Sequence, residues 1–288
     1  METVLLRRMR ILAVFKAVSF MAGAMIVQFA AALLCIAGYS GYKMLTQGGA
    51  NPSIKLWTEE LYAHMGDFSM VISLLYAMVV VIWCGIMYYR WQWRIRPFDY
   101  RKALGGNRLP AIFGIGFGAC IVMSLLIGAV MEMFPGAFKS YQELMKSLDI
   151  QNSILTLPYV ILLGPMAEEL LFRGVILDRL KPAFPFWFAN ILQAALFGVF
   201  HGNIVQGIYA FIFGMVLGLI AHVTGTIYAS MLTHILFNGT SELLAVLTAS
   251  GKGNGILMIL LLLVAVFCFT AGMTFYIKDY LRQCSSGR

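Results

Sequence analysis

Three short polar clusters lie within otherwise apolar segments of this sequence. They are Glu168-Glu169-x-x-x-Arg173, Phe197-x-x-x-His201 and His234-x-x-x-Asn238. An ionisable side chain inside a bilayer costs at least a few kcal/mol unless it faces a bundle interior or a wet cavity. Two carboxylates, two imidazoles, a guanidinium and an amide in such segments therefore predict a reaction centre.

The first cluster predicts a division of labour between its two carboxylates. Residues four apart on a helix share a face, so Glu169 and Arg173 can form an ion pair. Glu168 is turned from Glu169 by about 100° around the helix and stays available. A carboxylate in a poorly hydrated cavity can act as a general base for water. The structural alternative is a buried charge cluster that serves packing only.

The two histidine clusters carry different weight. His234 and Asn238 share one face of an apolar segment, where the imidazole can hold a water or a metal and the amide can donate to an oxyanion. His201 follows Phe197 by one turn at a segment end. Such a histidine alone would be interpreted as an interface residue or a hydrogen-bonded core residue.

The composition places these clusters in a membrane. The chain is 60% apolar and 12% charged, and its mean hydropathy is +0.82. A soluble domain would be about half apolar and a quarter charged. Apolar runs of about 20 residues without alternation predict an all-α polytopic bundle. We expect about eight spans, at 11–39, 69–89, 111–134, 153–173, 185–201, 204–223, 226–249 and 256–277.

The basic residues predict the orientation. One set of connections and ends holds Arg7, Arg8, Arg10, Arg90, Arg94, Arg96, Arg101, Lys102, Arg108, Arg179, Lys181, Lys278, Arg282 and Arg288. The opposite loops hold Lys43, Lys55, Lys139, Lys146 and Lys252. The positive-inside rule then puts both termini in the cytoplasm. The net charge of +8 therefore reflects the orientation in the membrane, and its expected partner is anionic membrane lipid and not nucleic acid.

The connections 40–68 and 135–152 leave no room for a soluble domain, so residues 1–288 are expected to form one transmembrane domain.

The three clusters, in this order on successive spans, resemble the CPBP family of intramembrane proteases, also called the CAAX-protease, bacteriocin-processing or Abi family. The family pattern is a double glutamate followed by an arginine, then Phe-x-x-x-His, then His-x-x-x-Asn or Asp. All three motifs are complete in this sequence. The resemblance covers about 150–245 and implies a catalytic core there; the other spans match only as hydrophobic helices.

The resemblance implies roles for the motif residues. Glu168 would activate water, and His201 would complete the water or metal site. His234 and Asn238 would polarise the scissile carbonyl and stabilise the oxyanion. Glu169 and Arg173 would hold the helix in place. Glu168, His201 and His234 are also a candidate set of ligands for a divalent metal such as zinc. A water held without any metal is the other interpretation, and both stay open.

The implied activity is cleavage of a membrane-associated or lipidated protein or peptide. Eukaryotic relatives trim prenylated CAAX tails, whereas the compact loops here favour a bacterial plasma membrane. A noncatalytic scaffold is a different hypothesis, in which the same fold binds a bacteriocin or a cell-envelope protein. A transporter would need paired broken helices, and Gly164-Pro165 has no counterpart in the sequence.

Overall fold

The computed structural model describes residues 2–46, 59, 65–93, 99–136, 139, 142–143, 156–249 and 255–286. Within these ranges the chain is helical and has no strand. We number its eight long helical segments α1 (Glu2–Thr46), α2 (Met65–Tyr88), α3 (Arg108–Met133), α4 (156–180), α5 (Phe186–Phe200), α6 (Ile204–Thr224), α7 (Ile227–Ala249) and α8 (Gly255–Ser285). A π-helical turn, Tyr89–Trp93, follows α2, and a short helix, Tyr100–Leu104, precedes α3. The predicted helical membrane bundle is confirmed.

Five helices in the described part of the chain are long and apolar enough to cross a bilayer, namely α1, α2, α3, α6 and α8. The helix α5 is apolar but has only 15 residues. Two others carry the first and third polar clusters: α4 alternates between α-helical and π-helical pieces, and α7 includes His234 and Asn238. The chain is therefore a multi-pass membrane protein in which α4, with its double glutamate, packs among the other helices.

The helix α4 occupies the centre of the packing, in contact with α1, α2, α5, α6 and α7. One core cluster is built mainly from α1, α2, α4 and α5, and a second mainly from α3, α6, α7 and α8. Since α4 belongs to the first cluster and α7 mainly to the second, the polar residues of these two helices meet where the clusters join. Apolar packing therefore lies on both sides of this junction.

A tight turn joins α5 to α6 and fixes the end of the second motif. Gly198 and Gly207 allow the two helices to approach so closely that a Cβ at Gly198 would lie 2.6 Å from the Gly207 carbonyl oxygen. In the turn Gly202 has a φ of 71°, which a glycine adopts without strain. Asn203 then caps α6, because its side chain accepts a hydrogen bond from the backbone N–H of Gln206 at 2.8 Å.

Several basic segments meet at one end of the bundle. The guanidinium of Arg179 lies 4.0 Å from the Trp91 ring, and Arg108 forms a 2.7 Å ion pair with Asp279. These contacts bring together segments that the sequence predicted to share one membrane face. The assignment of that face to the cytoplasm stays a prediction. The predicted external connections 40–68 and 135–152 lie largely outside the described residues.

Candidate active site

The backbone of α4 is irregular just before the double glutamate. In the π-helical piece Tyr159–Leu163, the N–H of Gly164 donates to the carbonyl of Tyr159, five residues earlier. The next donor in this register would be Pro165, which has no N–H, so the carbonyl of Val160 is left for another partner. Asn238 on α7 supplies it, since its amide nitrogen donates to the Val160 oxygen at 2.7 Å. The proline thus creates the acceptor that ties α4 to α7.

Glu169 and Arg173 form the predicted ion pair, with 2.8 Å between Oε1 and Nη1. Both side chains are fully buried. Arg173 also donates from Nη2 to the carbonyl of Gly214 at 3.2 Å, and its guanidinium lies 4.4 Å from the centre of the Phe197 ring. The approach depends on a glycine, because a Cβ at Gly214 would lie 3.2 Å from that same nitrogen.

His234 lies between the two carboxylates. Its Nδ1 is 3.1 Å from Oε1 of Glu169, and its Nε2 is 3.7 Å from Oε2 of Glu168. A carboxylate paired with Arg173 can only accept, so Nδ1 carries the hydrogen and donates it. In the neutral imidazole, the lone pair of Nε2 then faces Glu168. The sequence placed the two glutamates on different helix faces, yet both reach one imidazole because α7 packs across both.

The two glutamates differ in accessibility. The side chain of Glu169 is completely buried, whereas 20% of the Glu168 side chain is exposed. The 3.7 Å separation between Glu168 and His234 is also too long for a direct hydrogen bond. Glu168 is therefore the carboxylate that a small polar molecule can reach, and Glu169 is the one held by its neighbours.

Aromatic rings hold the imidazole of His234 in place. The Phe213 ring meets it edge to face at 5.5 Å, and the Phe197 ring does so at 6.1 Å. Phe197 also contacts His201 edge to face at 4.8 Å, so the motif phenylalanine touches both histidines. Phe237 stacks on Phe213 at 4.2 Å. The imidazole is thus fixed by packing as well as by hydrogen bonding.

His201 and Asn238 contact backbone rather than the charged cluster. Nδ1 of His201 lies 2.8 Å from the carbonyl of Phe197, and the Asn238 amide is bonded to α4 as described. Among the described residues, no group of three His, Cys, Asp or Glu side chains is arranged so that it could hold a metal ion. The candidate zinc ligands Glu168, His201 and His234 therefore do not form such a group, and no step of the chemistry below is assigned to a metal.

Asn190 and Gln193, two carboxamides that the sequence did not lead us to predict, hold the backbone that Arg173 contacts. Both are fully buried on α5. Gln193 donates to the Gly214 carbonyl at 2.9 Å and to the side-chain oxygen of Asn190 at 2.8 Å, and Asn190 donates to the carbonyl of Met215 at 2.9 Å. The Gly214 oxygen thus accepts from Gln193 and Arg173 together. Two carboxamides three residues apart in an apolar span were a visible pattern that could have revealed them.

Comparison with known proteins gives a family for the segment that carries the motifs. Residues 150–240 match the family model described as Type II CAAX prenyl endopeptidase Rce1-like. A protein of Bacillus subtilis (strain 168) named Uncharacterized protein YpbD is 28% identical over 127 residues, which make up 44% of this chain and 65% of that protein. The match thus covers slightly less than two thirds of the relative. No solved structure matches the chain.

Proposed function

We propose that this chain, in which residues 150–240 form a domain of the CPBP or CAAX-protease family, is an intramembrane endopeptidase with Glu168 as its general base. The family supports an intramembrane protease as the general activity. The substrate and the use of Glu168 to activate water are our proposals.

The observation that carries the mechanism is the position of one imidazole between two unlike carboxylates. Glu169 is neutralised by Arg173 and accepts from Nδ1 of His234, so Nε2 is turned toward the accessible Glu168. With His234 neutral and Glu168 ionised, two groups that both accept hydrogen bonds are 3.7 Å apart. A water molecule has two hydrogens to donate and suits such a pair.

The reaction we propose is hydrolysis of a peptide bond by that water. Glu168 takes one proton from the water as its oxygen bonds to the scissile carbonyl carbon, and the carbonyl π electrons move onto the oxygen. When the tetrahedral intermediate collapses, the C–N bond breaks and Glu168 returns the proton to the departing nitrogen. His234 orients the water, and the products are a free carboxyl group and a free amine.

Asn238 and His201 are proposed to act around this step. An amide nitrogen has two hydrogens, so Asn238 can stabilise the oxyanion with the second while the first is bonded to Val160. We place His201 at the edge of the water site, where Phe197 links it to His234. Glu169 and Arg173 position the imidazole and take no part in proton transfer.

The proposed substrate is a membrane-associated or lipidated protein or peptide. The matched family is described by its action on CAAX prenyl substrates, which makes a lipidated peptide the first to test. We propose a bacterial plasma membrane as the location, with both termini and the entrance of the site on the cytoplasmic side. We further propose that anionic lipids contact the basic end and that a cell-envelope protein is a partner of the chain.

The proposal is tested by comparing new protein termini in membranes from cells that produce the wild type, Glu168→Gln or Glu132→Gln. Glutamine keeps the shape of glutamate but cannot take a proton. Glu132 is an exposed glutamate of α3 and serves as the matched control. We expect termini that appear with the wild type and with Glu132→Gln and are absent with Glu168→Gln, at equal protein levels.

Identical termini in all three membranes would contradict the proposed function. A biological effect of the protein that persists in Glu168→Gln would instead favour a binding scaffold. Purified wild-type protein in lipid vesicles should then cleave a synthetic peptide spanning any terminus that depends on Glu168.

A further inference from the structure

The hydroxyl of Tyr76 is buried without a hydrogen-bond partner. Tyr76 lies on α2, outside the segment that matches the family, and only 4% of it is exposed. Within the described residues, its oxygen makes no hydrogen bond. A buried hydroxyl left without a partner costs about 1–3 kcal/mol, so its presence in a core position requires a reason.

The position of Tyr76 near the candidate active site gives a reason for the unpartnered hydroxyl. The helix α2 packs against the Gly164–Glu169 piece of α4, and Tyr76 belongs to the same core cluster as Ala167, Leu170 and Leu171. Its ring lies 6.1 Å from that of Phe200, near the end of α5. Glu168 is also close enough for its charge to bear on the phenol. Tyr76 therefore lies where α2 packs against the piece of α4 that carries the accessible carboxylate.

A second tyrosine near Glu168 is in a different situation. Tyr159, in the π-helical piece of α4, also interacts with the Glu168 charge, but it has the Ser73 hydroxyl as a hydrogen-bonding partner. Tyr76 is thus the phenol near Glu168 whose hydrogen is not used by the surrounding protein in the described structure. A donor of this kind can form its bond when charge develops on a reacting atom.

We infer that Tyr76 is a further catalytic residue, which donates its phenolic hydrogen to the scissile carbonyl oxygen as that oxygen becomes negative. The inference rests on the proposed endopeptidase function. Tyr76 keeps its proton throughout, because Glu168 carries the proton from the water to the leaving nitrogen. It shares the oxyanion with Asn238, whose amide already spends one of its two hydrogens on Val160.

This role explains why the hydroxyl has no partner before substrate binds. An interaction formed only in the transition state raises kcat, whereas one that binds substrate and transition state equally changes KM. A preorganised donor to an oxyanion is worth about 10²–10³-fold in kcat. The cost of burying the hydroxyl is met elsewhere in the fold, and its hydrogen bond is formed in the transition state.

The test is Tyr76→Phe, which removes one oxygen and keeps the ring. Tyr276→Phe is the matched control, because Tyr276 on α8 is also fully buried with an unpartnered hydroxyl but belongs to the other core cluster. Both variants, the wild type and Glu168→Gln are reconstituted in lipid vesicles. The probes are a farnesylated CAAX peptide and a non-prenylated membrane-spanning peptide, each carrying a fluorophore and a quencher.

We expect Tyr76→Phe to lower kcat by about 10²–10³-fold with KM unchanged and with unfolding at or above the wild-type denaturant concentration. Tyr276→Phe should cleave like the wild type. If Glu168→Gln is inactive while Tyr76→Phe cleaves at the wild-type rate, the inference about Tyr76 fails and the proposed function stands. A loss of stability specific to Tyr76→Phe, or an equal loss of activity in both phenylalanine variants, also overturns it. A wild type that cleaves neither peptide overturns the proposed function, and the role of Tyr76 with it.

Discussion

The buried pair of Glu169 and Arg173 should dominate the stability of the site region. In Arg173→Met the carboxylate of Glu169 loses its 2.8 Å partner at a position with no solvent exposure. Breaking a buried pair by removing one member typically costs about 3–5 kcal/mol. Loss of the guanidinium from the Phe197 face adds about 0.5–2 kcal/mol. Protonation of the stranded carboxylate limits the total, so we expect a destabilisation of about 3–5 kcal/mol.

A matched pair elsewhere in the protein provides the control. Arg108 and Asp279 are also joined at 2.7 Å, but their side chains are 16% and 21% exposed. An accessible pair is worth about 0–1 kcal/mol, so Arg108→Met should change the free energy of unfolding far less than Arg173→Met. The comparison varies burial while keeping the chemistry of the pair the same.

The double variant Glu169→Gln/Arg173→Met tests the cause. It contains no stranded charge, so it should recover much of the stability that Arg173→Met loses, and the two substitutions should be strongly non-additive. Unfolding is followed by circular dichroism as a denaturing detergent is added to mixed micelles. An Arg173→Met protein as stable as Arg108→Met, or a double variant no better than Arg173→Met, would refute this account of the pair.

Three further variants or treatments test other parts of the site. Pro165→Ala supplies an N–H that competes with Asn238 for the Val160 carbonyl. Unfolding in detergent should therefore show equal or greater stability, and the peptide assay should show slower turnover. Unchanged turnover would contradict this. Gly214→Ala places a Cβ 3.2 Å from the Arg173 guanidinium and should lower both stability and turnover, whereas a wild-type result would mean that Arg173 can shift without consequence. Treatment with a zinc chelator should leave peptide cleavage unchanged, because the candidate ligands are not assembled; inactivation that added zinc reverses would require a different arrangement of His201.

The helical architecture could be predicted from the sequence because its causes are local. A run of about 20 apolar residues is sufficient to indicate a span, and each of the eight predicted spans overlaps one of α1–α8. The ion pair of Glu169 and Arg173 followed from helix geometry alone, and the structure contains it. The predicted resemblance is confirmed for residues 150–240, which match a model of that family.

The tertiary part of the site could not be predicted in the same way. The π-helical register of α4 depends on which carbonyl each N–H selects, and only Pro165 marked the place where the Val160 oxygen is left open. The bridging position of His234 depends on how α7 crosses α4. Asn190 and Gln193 were visible as polar residues in an apolar span. By contrast, nothing in the sequence distinguishes Tyr76 from a tyrosine in an ordinary core.

The hydrogen bonds of the site form one connected path that bears on function. Gln193 and Arg173 both donate to the Gly214 carbonyl, and Arg173 and His234 both donate to Glu169. Every side chain along this path is buried, and the first group beyond it, Glu168, is partly exposed. A reacting group must be held within about 0.5 Å of its productive position. The buried path holds the imidazole of His234 in this way. The charges kept inside the site are then limited to the neutralised pair of Glu169 and Arg173 and to the carboxylate of Glu168, which water can reach.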